Sequence, residues 1–422
     1  MNREDFDILK TNVIYFDNGA TTLKPKVVLD SIVSYYTKYT ANAHRGDYNN
    51  SLIVDRLYEE TRSKVAKFIN AKRSDEIVFT KGTTESLNII VFGFMKHVLT
   101  EKDEVILSKA EHASNVLPWL ELQKEIGFKI KYVPLDKDLK LTLDNLKRIV
   151  TKNTKVISIA HITNTIGDIR PIKEIGEFAK ENNIYFVVDG AQSIPHLKTD
   201  VNDLNIDFLA FSGHKMLGPT GIGVLYGKYN LLDKTSPINF GGGMNTSFEA
   251  NGEFEYKSLP TRLEAGTQNI EGVLGLGTAI DYLNSIGMEN IHKYELELRK
   301  YLINELEKID NIVVYNKNSD SGIVMFNIKD VFAQDTAVYL NNYNICVRAG
   351  NHCAKILKDE LGIKNTCRIS LYFYNTKEEI DILIEILKQI KIILFFSFQN
   401  TIHQIFQKTN YLNIINFFHY YL

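Results

Sequence analysis

The chain has 422 residues, 44% of them hydrophobic, which is enough for a sizeable core that we expect to divide into two domains. Its 49 basic and 51 acidic side chains give a formal net charge of −2, so the basic surplus typical of nucleic-acid-binding proteins is missing. Only three cysteines occur, and their number and spacing favour neither a disulfide framework nor a zinc site. With no apolar segment suited to a signal peptide or a membrane span, we expect a soluble, cytoplasmic protein without a metal.

Short apolar segments alternate with longer amphipathic ones between about residues 75 and 230. The predicted strands are EIVFT (76–80), EVILS (104–108), KVISIAHIT (155–163), IYFVVDG (184–190), DFLAFSG (207–213) and GVLYG (223–227). Strands that are apolar throughout and separated by helices indicate an α/β fold with a mostly parallel sheet, covered on both faces. In such a sheet, ligands bind at the carboxyl ends of the strands.

The pattern changes after residue 270. A long helical region over about 271–310, three more strands and a helix over KEEIDILIEILKQI predict a smaller α+β domain. We therefore predict an N-terminal arm (1–20), a large domain (21–270) and a small C-terminal domain (271–391). The tail, 392–422, holds nine Phe or Tyr residues and no acidic one. It could be an extra packed helix, an interfacial segment or residues outside the evolved fold.

The strongest chemical cluster is FLAFSGHKMLGPTGIGVLY (208–226), in which an apolar strand ends just before Lys215. A lysine fixed at the carboxyl end of a strand can lose its charge through burial and form an imine with an aldehyde. Asp189 closes the preceding apolar strand, so both side chains could meet at neighbouring strand ends, where a carboxylate would keep a pyridine nitrogen protonated. Taken singly, Lys215 could be a solvated loop residue and Asp189 a helix N-cap.

A phosphate cradle is predicted where the strand EIVFT meets a helix. Gly82, Thr83 and Thr84 supply backbone N–H groups, hydroxyls and the positive end of a helix dipole at that junction. Ser212 and His214 could add donors to the same phosphate. The threonines would also serve as ordinary N-caps, so this motif alone does not decide the ligand.

Three further polar residues follow predicted strands. His112, in AEHASN, stands where an imidazole could lie flat against an aromatic cofactor ring. Asn164 and Gln192, in HITNTIG and DGAQS, could direct amide groups at a phenolic oxygen or a substrate carboxylate. Each of the three could instead have only a structural role.

Five segments together resemble the class V aminotransferase-like family, and more narrowly its SufS-type cysteine desulfurases. They are HRGDY (44–48), GTTE (82–85), VDGAQ (188–192), FSGHKMLGPTGIG (211–223) and RLEAGTQN (262–269). The resemblance covers roughly residues 13–390 and implies the aspartate-aminotransferase-like architecture called fold type I, with pyridoxal 5'-phosphate as cofactor. It assigns covalent attachment of the cofactor to Lys215, the contact with the ring nitrogen to Asp189 and stacking on the ring to His112.

The segment NICVRAGNHCAKIL (344–357) bears on the choice of reaction. It predicts a strand followed by a loop that holds Cys353, whose deprotonated thiol could attack the sulfur of a bound cysteine. An arbitrary cysteine could instead be a small buried apolar residue. The segment resembles the family pattern R-S/T-G-H-H-C-A, whose cysteine carries the persulfide. Ala349 and Asn351 depart from that pattern, whereas Arg348 and the other positions match it.

The resemblance also implies substrate and subunit contacts. Arg368, in CRISLYFYN, would hold the α-carboxylate of the substrate, since a guanidinium can bind a carboxylate bidentately; an ion pair with a nearby acidic residue is the alternative. Arg348, Asn164 and His44 are the other predicted substrate-binding residues. Thr267, in EAGT, would reach the phosphate of the cofactor in the other subunit, which implies a homodimer.

Three hypotheses follow. In the first, L-cysteine becomes L-alanine and its sulfur forms a persulfide on Cys353, which a sulfur-acceptor protein collects for iron–sulfur cluster assembly. In the second, the same scaffold is a selenocysteine lyase or another pyridoxal-phosphate-dependent β-lyase or aminotransferase. The third is a non-catalytic assembly scaffold, which would leave Lys215, Asp189 and Cys353 without a role. We expect the first, with Lys215, Cys353 and His112 as catalytic residues.

Overall fold

A seven-stranded sheet lies at the centre of the computed structural model, which describes residues 2–390. The strands of all sheets in the described residues are, in chain order, β1 (Ile14–Tyr15), β2 (Ile77–Thr80), β3 (Glu104–Ser108), β4 (Lys129–Val133), β5 (Thr154–Ala160), β6 (Tyr185–Asp189), β7 (Phe208–Ser212), β8 (Gly223–Gly227), β9 (Asn245–Phe248), β10 (Phe254–Tyr256), β11 (Ile312–Val314), β12 (Ile323–Ile328), β13 (Ile345–Cys346), β14 (Arg348–Gly350) and β15 (Thr366–Ser370). The central sheet has the order β2-β8-β7-β6-β5-β3-β4. Only β8 runs against its neighbours, so the sheet is mostly parallel, as predicted.

Helices cover this sheet on both faces. The α-helices among the described residues are α1 (Lys26–Lys38), α2 (Asn49–Phe68), α3 (Thr83–Asn88), α4 (Leu117–Ile126), α5 (Leu143–Ile149), α6 (Ile172–Glu181), α7 (Tyr229–Leu232), α8 (Ile270–Ile286), α9 (Met288–Leu306), α10 (Ala333–Asn341), α11 (Lys355–Leu361) and α12 (377–390). In α6, for example, Ile172, Ile175 and Ala179 recur at helical spacing and are buried against the sheet. Burial of such stripes against apolar strands forms the main core.

The second core lies under a four-stranded antiparallel sheet with the order β11-β12-β15-β14. The connection between the two cores is α9, which contributes Ile291 to the first and Leu298 and Leu302 to the second. The N-terminal segment joins this unit through β1, which pairs in parallel with β13. The division between the two domains at residue 271 stays a prediction. Helix α8, which begins at Ile270, packs against α1 and α2 beside the large sheet.

Most predicted elements are confirmed, with two differences in helical regions. The long helical region is two helices, α8 and α9, because Gly287 adopts a φ of +89° and interrupts the helical backbone. The helix predicted after EIVFT begins as α3 and continues as a wider π-helical segment over Ile89–Phe94. None of the helices within residues 2–390 combines the length and apolar character needed to cross a membrane. The predictions for the tail, 392–422, lie outside the described residues.

Candidate active site

Four predicted site residues lie at one edge of the central sheet. The parallel strands β7, β6, β5 and β3 are consecutive neighbours, and Lys215, Asp189, Asn164 and His112 lie at or just beyond their carboxyl ends. Together they line a cavity of about 200 Å³. Parallel strands bring their carboxyl ends to one edge, so residues far apart in the sequence form a single site.

Two ionisable side chains at the centre of this cavity, Lys215 and Asp189, have shifted pKa values, and each affects the pKa of the other. Burial, together with the guanidinium groups of Arg368 and Arg348, lowers the pKa of Lys215 to about 8, against the attraction of Asp189. Burial also raises the pKa of Asp189 to about 6, although the carboxylate accepts a hydrogen bond from the Ala191 backbone N–H (2.9 Å). Near neutral pH, Asp189 is therefore mainly charged, and a fraction of the Lys215 amines is neutral and nucleophilic.

Hydrogen bonds fix the orientation of His112. Its Nδ1 accepts the backbone N–H of Ser114 (3.1 Å) and lies 3.0 Å from the Ser114 hydroxyl, which is 2.7 Å from Thr84 Oγ1. Burial and the Lys215 charge lower the pKa of His112 to about 4, so the imidazole is neutral near pH 7. With Nδ1 acting as acceptor, the neutral ring carries its proton on Nε2.

The turn for which we predicted a phosphate cradle lies at the start of α3. Ser212 Oγ accepts the backbone N–H of Thr83 (2.8 Å) and lies 2.7 Å from Thr83 Oγ1, which draws the end of β7 to this turn. Gly82 has a φ of +155°, and a Cβ on Gly223 would lie only 2.4 Å from Gly82 Cα. Glycine is therefore required at this close approach, and the hydroxyl-rich turn borders the cavity.

Gln192 and His214 also line the cavity, and backbone contacts hold their loops. Gln192 Nε2 donates to the Gly19 carbonyl (2.8 Å), which brings the N-terminal segment to the site. The His214 carbonyl accepts Thr21 Oγ1 and Lys24 Nζ, each at 3.0 Å. Burial lowers the pKa of His214 to about 4, so its ring is neutral near pH 7 and could donate a single N–H to a phosphate.

Cys353 lies outside the cavity lining but next to it. Its Sγ is 3.8 Å from Nη2 of Arg348, which does line the cavity, and the Cys353 carbonyl accepts the N–H of Ala113 beside His112 (2.9 Å). The side chain is exposed, which excludes the alternative of a buried apolar cysteine. Cys353 therefore lies on a loop that is bonded to the segment carrying His112.

Arg368 lies in β15 and is fully buried behind the cavity wall. Its Nη2 forms an ion pair with Asp17 (2.8 Å), and its Nη1 donates to the Asn164 carbonyl (3.0 Å). A Cβ on Gly19, which lines the cavity, would lie 3.1 Å from the guanidinium carbon. The ion pair left open as an alternative is thus observed, and the guanidinium still lies directly behind the site. Its role in binding substrate stays a prediction.

His44 and Thr267 are not brought to this cavity within one chain. The exposed His44 lines a second cavity, where it forms an ion pair with Glu59 (3.3 Å) that raises the pKa of the imidazole. Thr267 is exposed nearby, with its Oγ1 3.4 Å from Asn42 Nδ2. Contacts of either residue with the main cavity would require a second copy of the chain.

Several residues of the site were not predicted, and three of them make polar or close contacts there. Gly19 and Ser114 line the cavity, and Asp17 neutralises Arg368. Ser114 could have been found because it follows His112 within AEHASN. Asp17 and Gly19 belong to FDNGA in the N-terminal segment, whose approach to the sheet depends on the pairing of β1 with β13.

The cavity residues fit pyridoxal 5'-phosphate. Lys215, with its lowered pKa, suits an aldehyde, and Asp189 suits a protonated ring nitrogen. The neutral ring of His112 suits the face of the pyridine, and the turn at Thr83 and Ser212 suits the phosphate. Among residues 2–390, no three His, Cys, Asp or Glu side chains are grouped as a metal site requires.

Comparisons with known proteins agree with this geometry. A probable cysteine desulfurase of Halalkalibacterium halodurans is 41% identical over 387 residues, which is 92% of this chain and 95% of the relative. Among solved structures, an apo cysteine desulfurase of Thermococcus onnurineus superposes with a TM-score of 0.88 at 38% identity, covering 92% of this chain and 96% of that one. The structure of an Escherichia coli cysteine desulfurase in an S-sulfonic acid form superposes with a TM-score of 0.87 at 35% sequence identity, covering 92% of this chain and 96% of that one.

The family assignment follows from a match along most of the chain. The model of the family described as Aminotransferase class-V matches residues 14–383, which include each predicted site residue. With the fold type I arrangement and the Lys215–Asp189 cavity, this match shows that the chain belongs to the class-V aminotransferase family.

Proposed function

We propose that this protein is a pyridoxal-phosphate-dependent cysteine desulfurase, which converts L-cysteine to L-alanine and retains the sulfur as a persulfide on Cys353. The observation that carries the proposal is the position of the exposed Cys353 thiol, 3.8 Å from Arg348 at the cavity that holds Lys215 and Asp189. A lyase or aminotransferase would need the cavity but not a thiol beside it. The relatives named cysteine desulfurase, at 41% identity over most of the chain, support the same reaction.

The cavity residues divide the work of holding the cofactor. Lys215 would attach it, Asp189 would hold the ring nitrogen, His112 would stack on the ring, and Thr83, Thr84, Ser212 and His214 would bind the phosphate. Gln192 and Asn164 would contact the ring oxygen. Once bound, the cofactor supplies an electron sink that weakens bonds around the substrate Cα.

The sulfur step is assigned to Cys353. Its thiolate attacks the substrate sulfur, and an S–S bond forms as the substrate Cβ–S bond breaks. The carbon keeps the electron pair of the broken bond and takes up a proton, which gives alanine. Arg348, 3.8 Å from Sγ, holds positive charge beside the attacking thiolate. Lys215, with a pKa of about 8, can give up and take back protons during the cycle.

Substrate binding would use the guanidinium groups near the cavity. Arg348 lines the cavity, while Arg368 lies behind Gly19 with its Nε unpaired among the described residues. An α-carboxylate held between them would direct the cysteine side chain towards Cys353. Exchange of the ion pair between Arg368 and Asp17 for one with substrate would keep the buried guanidinium neutralised.

The homodimer is part of the proposal. His44 lines a second cavity, Thr267 lies beside it in contact with Asn42, and neither lines the Lys215 cavity of its own chain. In a dimer, Thr267 would reach the phosphate in the opposite subunit, and His44 would approach the substrate there. We also propose that the persulfide passes to a sulfur-acceptor protein for iron–sulfur cluster assembly in the cytoplasm.

The test follows sulfur and alanine together. Brief exposure of the wild type to L-cysteine should add one sulfur to the peptide holding Cys353, as measured by mass spectrometry. Cys353→Ser should gain no sulfur and produce little alanine, because a serine hydroxyl is too weakly acidic to replace the thiolate. Cys346→Ser is the matched control and should behave as the wild type, because Cys346 is only partly exposed in β13 and has no assigned role.

Two outcomes would contradict the proposal. Added sulfur on Cys346 or Cys367 instead of Cys353 would show that Cys353 is not the sulfur acceptor. Full alanine production by Cys353→Ser would favour the β-lyase alternative, which needs only the cofactor site and the carboxylate-binding residues.

A further inference from the structure

Lys358, on α11, is buried without a carboxylate. Its side chain is 2% exposed, and its Nζ donates to Thr366 Oγ1 (2.6 Å) and Met325 Sδ (3.1 Å). No acidic side chain within residues 2–390 forms an ion pair with it, although lysine is almost never fully buried unless paired. Burial lowers the pKa of Lys358 to about 8. A group this costly to bury calls for a functional explanation.

Thr366 connects this lysine to His352. The Thr366 hydroxyl lies 3.0 Å from His352 Nε2, and the Thr366 carbonyl is also 3.0 Å from the same nitrogen. His352 is 1% exposed, and its Nδ1 has no partner among the described residues. Lys358 therefore reaches the histidine through one hydroxyl, which can donate one proton and accept two.

His352 immediately precedes the proposed sulfur acceptor. His352 and Cys353 both have left-handed backbones, with φ of +54° and +57°, which is unfavourable for residues other than glycine. The His352 carbonyl accepts Asn164 Nδ2 (2.6 Å), while the ring is buried against Thr366. The histidine ring thus anchors the turn that presents Cys353.

We propose that Lys358 is a positioning residue that acts through Thr366 and His352 to hold the Cys353 turn. A protonated Lys358 donates to Thr366 Oγ1 and leaves the hydroxyl proton for His352 Nε2. A neutral Lys358 can accept that hydroxyl proton, and His352 must then donate from Nε2 to the Thr366 carbonyl. The charge of Lys358 therefore shifts the balance between two neutral tautomers of His352, which hold the turn differently.

Two other buried ionisable side chains lie beside Lys358, and neither titrates near neutral pH. Burial, with the charges of Arg368, Lys358 and Arg348, lowers the pKa of His352 to about 2, so the imidazole stays neutral. On β15, burial raises the pKa of the Cys367 thiol to about 12. The inference rests on the proposed function only in giving Cys353 its role, since the relay itself is a structural contact.

The test measures the turn itself in the intact holoenzyme. Hydrogen–deuterium exchange of the peptide spanning 350–354, read by mass spectrometry, reports how firmly the turn is held. We expect Lys358→Met, which keeps an unbranched side chain, to speed this exchange about fivefold, the equivalent of one ordinary hydrogen bond. Thr366→Val removes the hydroxyl at nearly constant volume and should have the same effect, and the double variant should add little.

Control measurements separate positioning from general loosening. Lys355→Met removes a lysine from the exposed face of α11, where it pairs with Asp359 (2.6 Å), and should leave the exchange unchanged. After correction for the intrinsic pH dependence of exchange, protection of 350–354 in the wild type should change between pH 7 and 9, around the pKa of about 8. Lys358→Met should lack this change. Alanine production by Lys358→Met should fall in kcat with little change in KM.

Unchanged exchange at 350–354 in either Lys358→Met or Thr366→Val would overturn the proposal, as would an equal effect of Lys355→Met. If Lys358→Met does not fold, Thr366→Val decides alone. Exchange is measured without turnover, so a wild type that shows the expected relay but makes no alanine would refute the proposed function and leave the relay standing.

Discussion

Replacement of Asp189 by asparagine isolates the charge that the site offers to the cofactor ring. Asp189 closes β6 and is 4% exposed, and its carboxylate accepts the backbone N–H of Ala191. Asparagine has the same shape and can keep that hydrogen bond through its amide oxygen. The variant therefore loses the negative charge with little change of packing, and we expect weaker binding of pyridoxal 5'-phosphate.

The size of the effect follows from the burial of the carboxylate. A hydrogen bond to a charged partner contributes about 1.5–3 kcal/mol, and each 1.4 kcal/mol corresponds to about tenfold in affinity. The dissociation constant for the cofactor should thus rise about 10- to 150-fold in Asp189→Asn. The attraction of Asp189 also raises the pKa of Lys215, so the pKa of that amine should fall further below about 8 in the variant.

Titration of the apo-protein with the cofactor, followed by absorbance, measures this constant. Asp207→Asn is the matched control, because Asp207 precedes β7 at the opposite edge of the sheet, where it accepts the Phe186 N–H (2.9 Å) and pairs with Lys228 (2.7 Å). Because the pKa of Asp189 is about 6, affinity of the wild type should weaken as pH falls through 6, and that of Asp189→Asn should not. Equal affinities of Asp189→Asn and the wild type would refute the reasoning.

Two other predictions concern lysines. Lys215→Ala should bind the cofactor without a covalent bond. Borohydride reduction followed by mass spectrometry should therefore find the cofactor mass on the Lys215 peptide of the wild type and on no peptide of the variant. Cofactor mass on a peptide of the variant would show that another lysine forms the covalent bond. For Lys358, the folded pKa is about 8 and the ordinary value 10.5, so the unfolded chain binds more protons between these pH values and stability should rise with pH across them. Denaturant unfolding at several pH values should show that the free energy of unfolding of the wild type rises with pH relative to that of Lys358→Met, by at most about 3 kcal/mol. The same dependence of this free energy on pH in both proteins would contradict the prediction.

The sequence was informative wherever a strand is buried on both faces. Strands such as β6 and β7 consist almost entirely of apolar residues, so both their existence and the polar residues at their ends could be read directly. The edge strand β4 was not predicted, because KIKYV alternates lysines with apolar residues and is only partly buried. The short hairpin of β9 and β10 is almost wholly exposed and gives no apolar signal either.

Contacts between distant segments could not be read from local patterns. Asp17 meets Arg368 because β1 pairs with β13 and the N-terminal segment crosses to β15, and nothing near either residue in the sequence announces the other. Lys358 and His352 are close in the sequence, but the contact that joins them runs through the side chain of Thr366 on β15, which no local pattern indicates. Lysine on a short amphipathic helix normally indicates a solvated face, and its burial depends on how α11 packs against the antiparallel sheet.

The two departures from the family pattern beside Cys353 have structural explanations. Asn351 Oδ1 accepts the Cys353 backbone N–H (3.0 Å), and the Asn351 carbonyl accepts the N–H of Ala354 (3.0 Å), so this asparagine closes the turn locally. Ala349 pairs with Cys367 across β14 and β15 and packs against the core beneath that sheet. Asn351 therefore stabilises an otherwise unfavourable left-handed turn. Ala349 keeps the strand that leads into this turn, β14, within the sheet. Both are compatible with an exposed thiol held at the cavity, so they leave the reaction assigned to Cys353 unchanged.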